Sequence, residues 1–510
     1  MKIIHGWMLF LGLLILGGCV VTPEPINPEK TAQRVMNDID QMFREQIPVS
    51  GEISLYEAMA RAVKYNIDHR LKMLSQVVKN RELDLSKYDL LPRLAASAGY
   101  KHRDNENASN SFSVSRGVES LETSTSQDKE LWTAQAQVVW NVLDFGVSYL
   151  RQQQHADKVL IAEEQRRKVV QNIVQEVRQA YWRVVAAQAI EQNLHTAIRD
   201  IENSLNTARR MKADGLQRPI ETLEFRRDLL KTYRGLLKKT DELALAKADL
   251  ARLMNLPPGT YYRVMSMPKN ESPFAFNIQQ LASLQLAALR YRPELREMDY
   301  NARIVEKEGT IAKLELLPGL SFTLGGYYDD NSFLLNQSWA EAGIQVSYDL
   351  VKLATIPDVN ALQDSRNKLV NLQRRALSSA ILAQMELAVR SYLIAKKDYE
   401  LSLAATDIEN QRYRQYRAQG DTGMAARLEL TQAKADMLLA SLDQHFQYAQ
   451  MQTQFGLVVN SLGIDPLPQV VASHNLPALT SSMKRYFQEQ LPKQLQEVLA
   501  EAKTMKVASR

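Results

Sequence analysis

Two hydrophobic periods alternate along this chain of 510 residues. One has period two. Trp132, Ala134, Ala136, Val138, Trp140 and Val142 fall on one side, and Thr133, Gln135, Gln137 and Asn141 on the other, with Val139 the exception. Ala340, Ala342, Ile344, Val346, Tyr348 and Leu350 oppose Glu341, Gly343, Gln345, Ser347 and Asp349 in the same way. Leu94, Ala96, Ala98 and Tyr100 oppose Ala95, Ser97, Gly99 and Lys101; Leu320, Phe322, Leu324 and Tyr328 oppose Ser321, Thr323, Gly325 and Tyr327. Each segment predicts a strand, and strands of ~10 residues with one apolar and one polar face suit a transmembrane barrel. One such strand alone reads more readily as a soluble sheet with one wet face. The aromatics Trp132, Trp140, Trp339, Tyr327, Tyr328 and Tyr348 near strand ends favour the membrane, because amphipathic rings prefer the headgroup layer.

The second period is helical. Residues 145–214 hold no proline and only Gly146 as glycine, and at ideal rise such a run is ~105 Å long. Residues 357–419 are similar. Val170, Ile173, Val177, Tyr181 and Val184 recur in steps of three and four, a coiled-coil-like seam. Such helices project from a globular body, here into the periplasm, and pack on partner helices at 220–255 and 424–462. Outside the repeat, Met483, Tyr486, Phe487, Leu491, Leu495 and Leu499 lie near helical spacing; this tail either wraps the middle of the helices or is partly loose.

The pattern is written twice. Leu90-Leu91-Pro92-Arg93-Leu94 recurs as Leu316-Leu317-Pro318-Gly319-Leu320, Trp140 aligns with Tyr348, Gly215 with Gly423, Glu221 with Glu429, and Leu253-Met254-Asn255-Leu256-Pro257 with Leu462-Gly463-Ile464-Asp465-Pro466. Landmarks in one order at nearly constant offset mark an internal duplication. Four strands cannot close a barrel, and an open edge cannot face lipid, so identical copies must complete the ring; three copies give twelve strands.

Composition and chemistry add the compartment. A net charge of +5 with 24% charged residues gives no nucleic-acid footprint. The single cysteine, Cys19, follows an apolar 7–16 stretch and closes Leu16-Gly17-Gly18-Cys19, which resembles the bacterial lipobox, so Cys19 is the expected site of lipid attachment. No zinc motif, phosphate-binding loop or nucleophile elbow occurs, so no enzyme, metal or cofactor is expected. The expected divisions are 1–18 signal peptide; 19–51 acylated tether and short helix; 52–91 helix, 92–143 strand pair with extracellular loop 102–130, and 144–256 long helix pair of the first repeat; 257–276 linker; 277–317 helix, 318–350 strand pair and 351–465 long helix pair of the second; and 466–510 C-terminal segment.

These features together resemble the TolC family of outer-membrane efflux and secretion channels, over roughly 52–466. The resemblance implies a mainly α fold with a membrane β-barrel: a coiled-coil-like tunnel carrying four transmembrane strands per protomer, twelve in a homotrimer. It implies a lipid-anchored protein of the outer membrane whose tunnel extends into the periplasm. It further implies a passive exit duct for a tripartite efflux pump or type I secretion system, partnered by a periplasmic adaptor and an inner-membrane pump of RND or ABC type. The family's gate pattern falls on Gly423, Glu429 and Gln432, and on Gly215, Glu221 and Glu224; Gln432 departs from the usual acid. Glu221 and Glu429 also read as plain solvated helix charges. Gly215, Leu216, Gly420, Gly423 and Arg417 would form the tip turns and the adaptor-docking surface, although glycines and basic residues there also suit ordinary helix ends. The rival reading is a lipid-anchored coiled-coil scaffold without a pore, which would not need four apolar-faced strands.

Overall fold

The computed structural model describes residues 23–119, 122–189, 191–213, 219–266, 275–419, 424–466 and 475–508. Among the described residues helix α1 (Pro28–Phe43) comes first. The first repeat then runs α2 (Leu55–Tyr65), α3 (Ile67–Ser86), β1 (Arg93–His102), β2 (Glu130–Asn141), α4 (Val142–Gln188), α5 (Glu191–Ala213) and α6 (Pro219–Leu253). The second runs α7 (Leu281–Tyr291), α8 (Pro293–Leu314), β3 (Gly319–Asp329), β4 (Ser338–Ser347), α9 (Val351–Ala418) and α10 (Met424–Leu462). Helices α11 (Leu476–Arg485) and α12 (Leu491–Ala508) close the chain across a π-turn at Tyr486–Gln490.

The repeat is visible in single backbone angles. Asn66 ends α2 and opens α3 at φ −63, ψ 128; Arg292 ends α7 and opens α8 at φ −65, ψ 128. The same bend is reached by different chemistry. The Asn66 side chain accepts from the Asp68 and His69 N–H groups, whereas Pro293 at the first helical position brings no N–H to satisfy. Past α6 and α10, Asn255 (φ 54) and Gly463 (φ 74) both sit in the left-handed region, which shifts the expected match of Met254 with Gly463 by one residue. Glycine carries no Cβ penalty there, and asparagine is among the few side chains that tolerate it. At Gly463 a Cβ would also press on the Arg292 backbone, so this helix end packs directly on the α7–α8 bend. Asn255 instead holds α1, donating from its side chain to the Met42 carbonyl at 3.0 Å.

The long strands form one antiparallel sheet in the order β4-β3-β2-β1, leaving β1 and β4 as edges. Register lines up the apolar sides: Leu94 pairs with Val138, which pairs with Leu324, which pairs with Ala342; Ala96, Ala136, Gly326 and Ala340 form the next row. Strand β4 stops at Ser347, so Tyr348 and Leu350 lie beyond it, and Val142 begins a helix rather than ending a strand. Asn141 causes that switch: its side chain accepts from the Leu143 N–H at 2.9 Å and caps α4. The 102–130 loop is partly ordered by two short ladders, Ala108–Ser109 with Ser124–Thr125 and Phe112–Ser113 with Val118–Glu119. It is laced to the 330–337 loop through Asn331, whose amide donates to the Ser126 carbonyl at 2.9 Å.

The 145–214 run is interrupted: α4 ends at Gln188 and α5 restarts at Glu191. The seam residues Val170, Ile173, Val177, Tyr181 and Val184 are all buried. They join a core drawn from α4, α9 and α10, with Met385, Val389, Tyr392, Phe455 and Val458. Phe276 meets Tyr392 edge-on at 5.7 Å between ring centres. The tail wraps this core: Met483, Tyr486, Leu491, Leu495 and Leu499 are buried, and the Tyr486 hydroxyl donates to the Asp465 carbonyl at 2.7 Å. Asp157 and Glu164 on α4 face α8, where Asp157 meets Arg303, and Lys307 at 2.7 Å, and Glu164 meets Arg296 at 3.2 Å.

Candidate functional site

Two places could form a conduit: the polar face of the sheet and the far ends of the long helices. On the sheet, Ser97, Gln135, Tyr327 and Trp339 share one cross-strand row on the polar side, as do Gln137, Gly325 and Glu341 in the next. Tyr327 stacks on Trp339 at 5.5 Å and 13°, its ring lying over Gly325, which leaves room by having no side chain. Trp132, Trp140 and Tyr328 lie on the apolar side, where Trp132 meets Tyr100 at 4.8 Å and Trp140 meets Phe322 at 6.2 Å. The six aromatics expected at a membrane boundary are therefore split. Tyr327 and Trp339 occupy the polar face, and Tyr348 follows the end of β4. An alternating count already separates 327 from 328; proximity to strand ends does not.

At the helix ends, the turns carrying Gly215, Leu216, Gly420 and Gly423 lie outside the described residues, as does Cys19. Glu221 lies in the first turn of α6, and Glu224 and Glu429 are exposed. Arg417, in the last turn of α9, is exposed as well. Gln432 is half-buried and bridges two helices: its amide donates to Asp436 at 2.9 Å and to the Thr232 hydroxyl of α6 at 3.3 Å. Sequence reading missed Asp436, although its i,i+4 spacing from Gln432 was a usable signal. Burial pushes the Asp436 carboxyl up, and Glu409 adds to this; Arg412 at 3.8 Å and the Gln432 and Thr232 hydrogen bonds oppose it. Lys434 reaches Asp200 of α5 at 2.7 Å. Below them Ile201, Leu229, Leu236, Ala435 and Leu438 form a small second core. The Gln432–Thr232 and Lys434–Asp200 bonds tie the first helix pair to the second, so any separation of the pairs must break them.

The helices also expose apolar seams. Leu387, Ile394, Leu401 and Ile408 recur every seven residues along α9 and are each more than half exposed. Leu71, Leu74, Val78 and Leu85 are also exposed along α3, at coiled-coil steps of three, four and seven. Heptad seams of this kind fit a facing helix. Among the described residues, no helix is long and apolar enough to cross a membrane, and no group of His, Cys, Asp or Glu is placed to hold a metal.

Residues 75–256 match the family model described as "Outer membrane efflux protein". Among curated proteins nothing matches. Among solved structures the chain is similar to the outer-membrane channel OprN, at 14% identity and a TM-score of 0.62 over 80% of this chain and 89% of that one. It is similar to CusC, a transmembrane channel, at 16% and 0.61 over 82% and 95%. It is also similar to the CmeC outer membrane channel of Campylobacter jejuni, at 12% and 0.61 over 87% and 93%.

Proposed function

We propose that this chain is an outer membrane efflux protein of the TolC family and works as one third of a trimeric channel-tunnel, the exit duct of a tripartite pump or secretion system. One observation carries the reading. The chain builds an antiparallel sheet with an unbroken apolar face and two unpaired edges, mounted on helices that expose heptad seams. Lipid offers no hydrogen-bond partner to an open edge, so β1 of one copy must meet β4 of the next. Three copies close a twelve-stranded ring, with Gln135, Gln137, Glu341 and the Tyr327–Trp339 pair lining its lumen. The α3 and α9 seams then close the tunnel below.

Conduction is passive, and the energy comes from an inner-membrane pump of RND or ABC type. A periplasmic adaptor contacts the tip, and Cys19 carries the acyl anchor. Opening requires the helix pairs to part near Gln432, Asp436 and Lys434, with Glu429, Glu221 and Glu224 supplying negative charge at the constriction. Three copies of Glu429 would form a ring that attracts cations.

The test is a detergent-stable trimer that conducts ions in planar bilayers. A monomer without conductance would overturn the channel. Glu429→Ala is expected to weaken block by multivalent cations; unchanged block would move the gate elsewhere.

A further inference from the structure

We propose that the polar face of the β3–β4 strand pair carries a subsite for aromatic organic cations, the class of ring-bearing quaternary ammonium compounds, on their way through the duct. The inference deepens the channel reading and rests on it: the sheet must wall the duct, with its polar face inward. Tyr327 of β3 and Trp339 of β4 oppose each other on that face and stack at 5.5 Å and 13°. Two residues along β4, Glu341 opposes Gly325. A Cβ at Gly325 would stand 2.9 Å from the Tyr327 Cε2 atom and 3.0 Å from its hydroxyl. The ring therefore fills the place where a side chain would have met Glu341. Opposed side chains on a ladder stand roughly 4.5–5.5 Å apart, which sets the ring beside the stem of this carboxylate.

The chemistry of the face selects a cation. An aromatic face attracts positive charge through its quadrupole, and a carboxylate adds a full opposite charge. Glu341 is exposed and makes no hydrogen bond or ion pair with any described residue. A second acid, Asp329, lies two residues beyond Tyr327 on the same face. The three cross-strand rows from Ala95 to Gly99 on this face hold these two acids and no base. Trp339 is 41% exposed, which leaves the pair open to the duct. A headgroup layer accounts for rings on the apolar side, but not for these two.

The duplication shows what the ladder alone requires. In the first strand pair Gly99 opposes Thr133 and Lys101 opposes Leu131, at the places of Gly325–Glu341 and Tyr327–Trp339. The same antiparallel register forms there with neither ring, no acid and a base instead. Strand pairing therefore does not need Tyr327, Trp339 or Glu341, and a cationic aromatic ligand accounts for all three.

The experiment is fluorine NMR of the full-length protein in detergent micelles, labelled with fluorotryptophan and titrated with benzyltrimethylammonium. The Trp339 resonance, assigned by its loss in Trp339→Phe, should shift to saturation. Those of Trp132 and Trp140, on the apolar side, should stay still. Glu341→Gln and Tyr327→Leu should each raise the half-saturating concentration about threefold or more. Gly325→Ala, which keeps every group but displaces the Tyr327 ring, should raise it too. Glu386→Gln, an exposed α9 acid paired to Arg390, should titrate like wild type. Trp182, buried in the helical core, reports that each variant is folded. Unmoved half-saturation in Glu341→Gln and Tyr327→Leu, as when a neighbouring copy neutralises the acid, would overturn the site. Equal shifts at Trp132 and Trp140 would mean partition into detergent and would overturn it as well. Equal binding of benzyl alcohol, which lacks the charge, or of tetramethylammonium, which lacks the ring, would overturn the ligand class. Conductance of the wild-type protein is read separately: a conducting protein whose Trp339 resonance does not respond sinks this subsite alone, and a non-conducting protein sinks the channel.

Discussion

Tyr392 and Ile344 are both apolar-leaning side chains at periodic positions, yet one is 2% exposed and the other 72%. The difference separates two regions. In the helical middle, α4, α9, α10 and the tail bury one another, so one copy completes its own core. In the sheet, every strand has its period-two face but nothing to press it against, and two edges lack partners. Burial in the middle belongs to the chain; in the proposed channel, burial at the sheet comes from lipid and from neighbouring copies. A hydrophobic pattern thus says that a face will be covered, not by what.

The largest expected effect lies in the self-sufficient region. Tyr392→Ala removes a ring packed on Phe276 and Phe455 and should cost ~3–5 kcal/mol, read as a drop in the denaturant midpoint. A loss under ~1 kcal/mol would mean the middle is not one packed unit. Next comes the sheet. Ala136→Arg, in the middle of the apolar face, should cost ~2–4 kcal/mol for folding into bilayers. Gln137→Arg, one residue along on the polar face, should stay within ~0.5 kcal/mol. Equal penalties would erase the distinction between the faces. Third, Gly463→Ala demands a strained φ and pushes on the Arg292 backbone; it should cost ~1–3 kcal/mol, measured by thermal melt.

The smallest effects are pH-dependent and lie in the α4–α8 seam. Burial holds the Glu164 carboxyl above its ordinary value of 4.5, against the pull of Arg167 and Arg296. Its favourable contribution is full below pH 4.5 and fades as pH rises through the raised value. Glu164→Gln should therefore melt higher relative to wild type at pH 7 than at pH 4. Burial also raises the neighbouring Glu294, but the Lys168 hydrogen bond and charge, with Arg292, hold it net below 4.5. Its contribution is present above pH 4.5 and lost as pH falls through the lowered value. Glu294→Gln should show the opposite trend. Parallel trends would mean that the two carboxyls share one environment.

Much of this was legible before any coordinates. Period-two segments located all four long strands, because one apolar face per strand leaves no freedom of register. The duplication was legible because both halves meet the same bends and stops, even where Asn66 is replaced by Arg292 and Asn255 by Gly463. Three features were hidden. The break after Gln188 lies far from Gly146, the one glycine of a run without proline, so no local signal marks it. Val142 looked like strand because its period continued, but the Asn141 cap overrode the alternation. Gln432 is expected at the gate from its spacing alone, but its partner Thr232, on a helix two hundred residues away in sequence, is not foreseeable. Long-range hydrogen bonds leave no periodic trace.

The bare rims of β1 and β4 also bear on how such a molecule is made. A newly exported chain cannot enter the bilayer first and find its companions afterwards, since the intermediate would carry unmet amide and carbonyl groups into hydrocarbon. For the channel proposed above, oligomerisation and insertion would be one coupled event. On that proposal the polypeptide would cross the periplasm with adhesive ribbons uncovered, a span of its life in which a chaperone would have the most to protect.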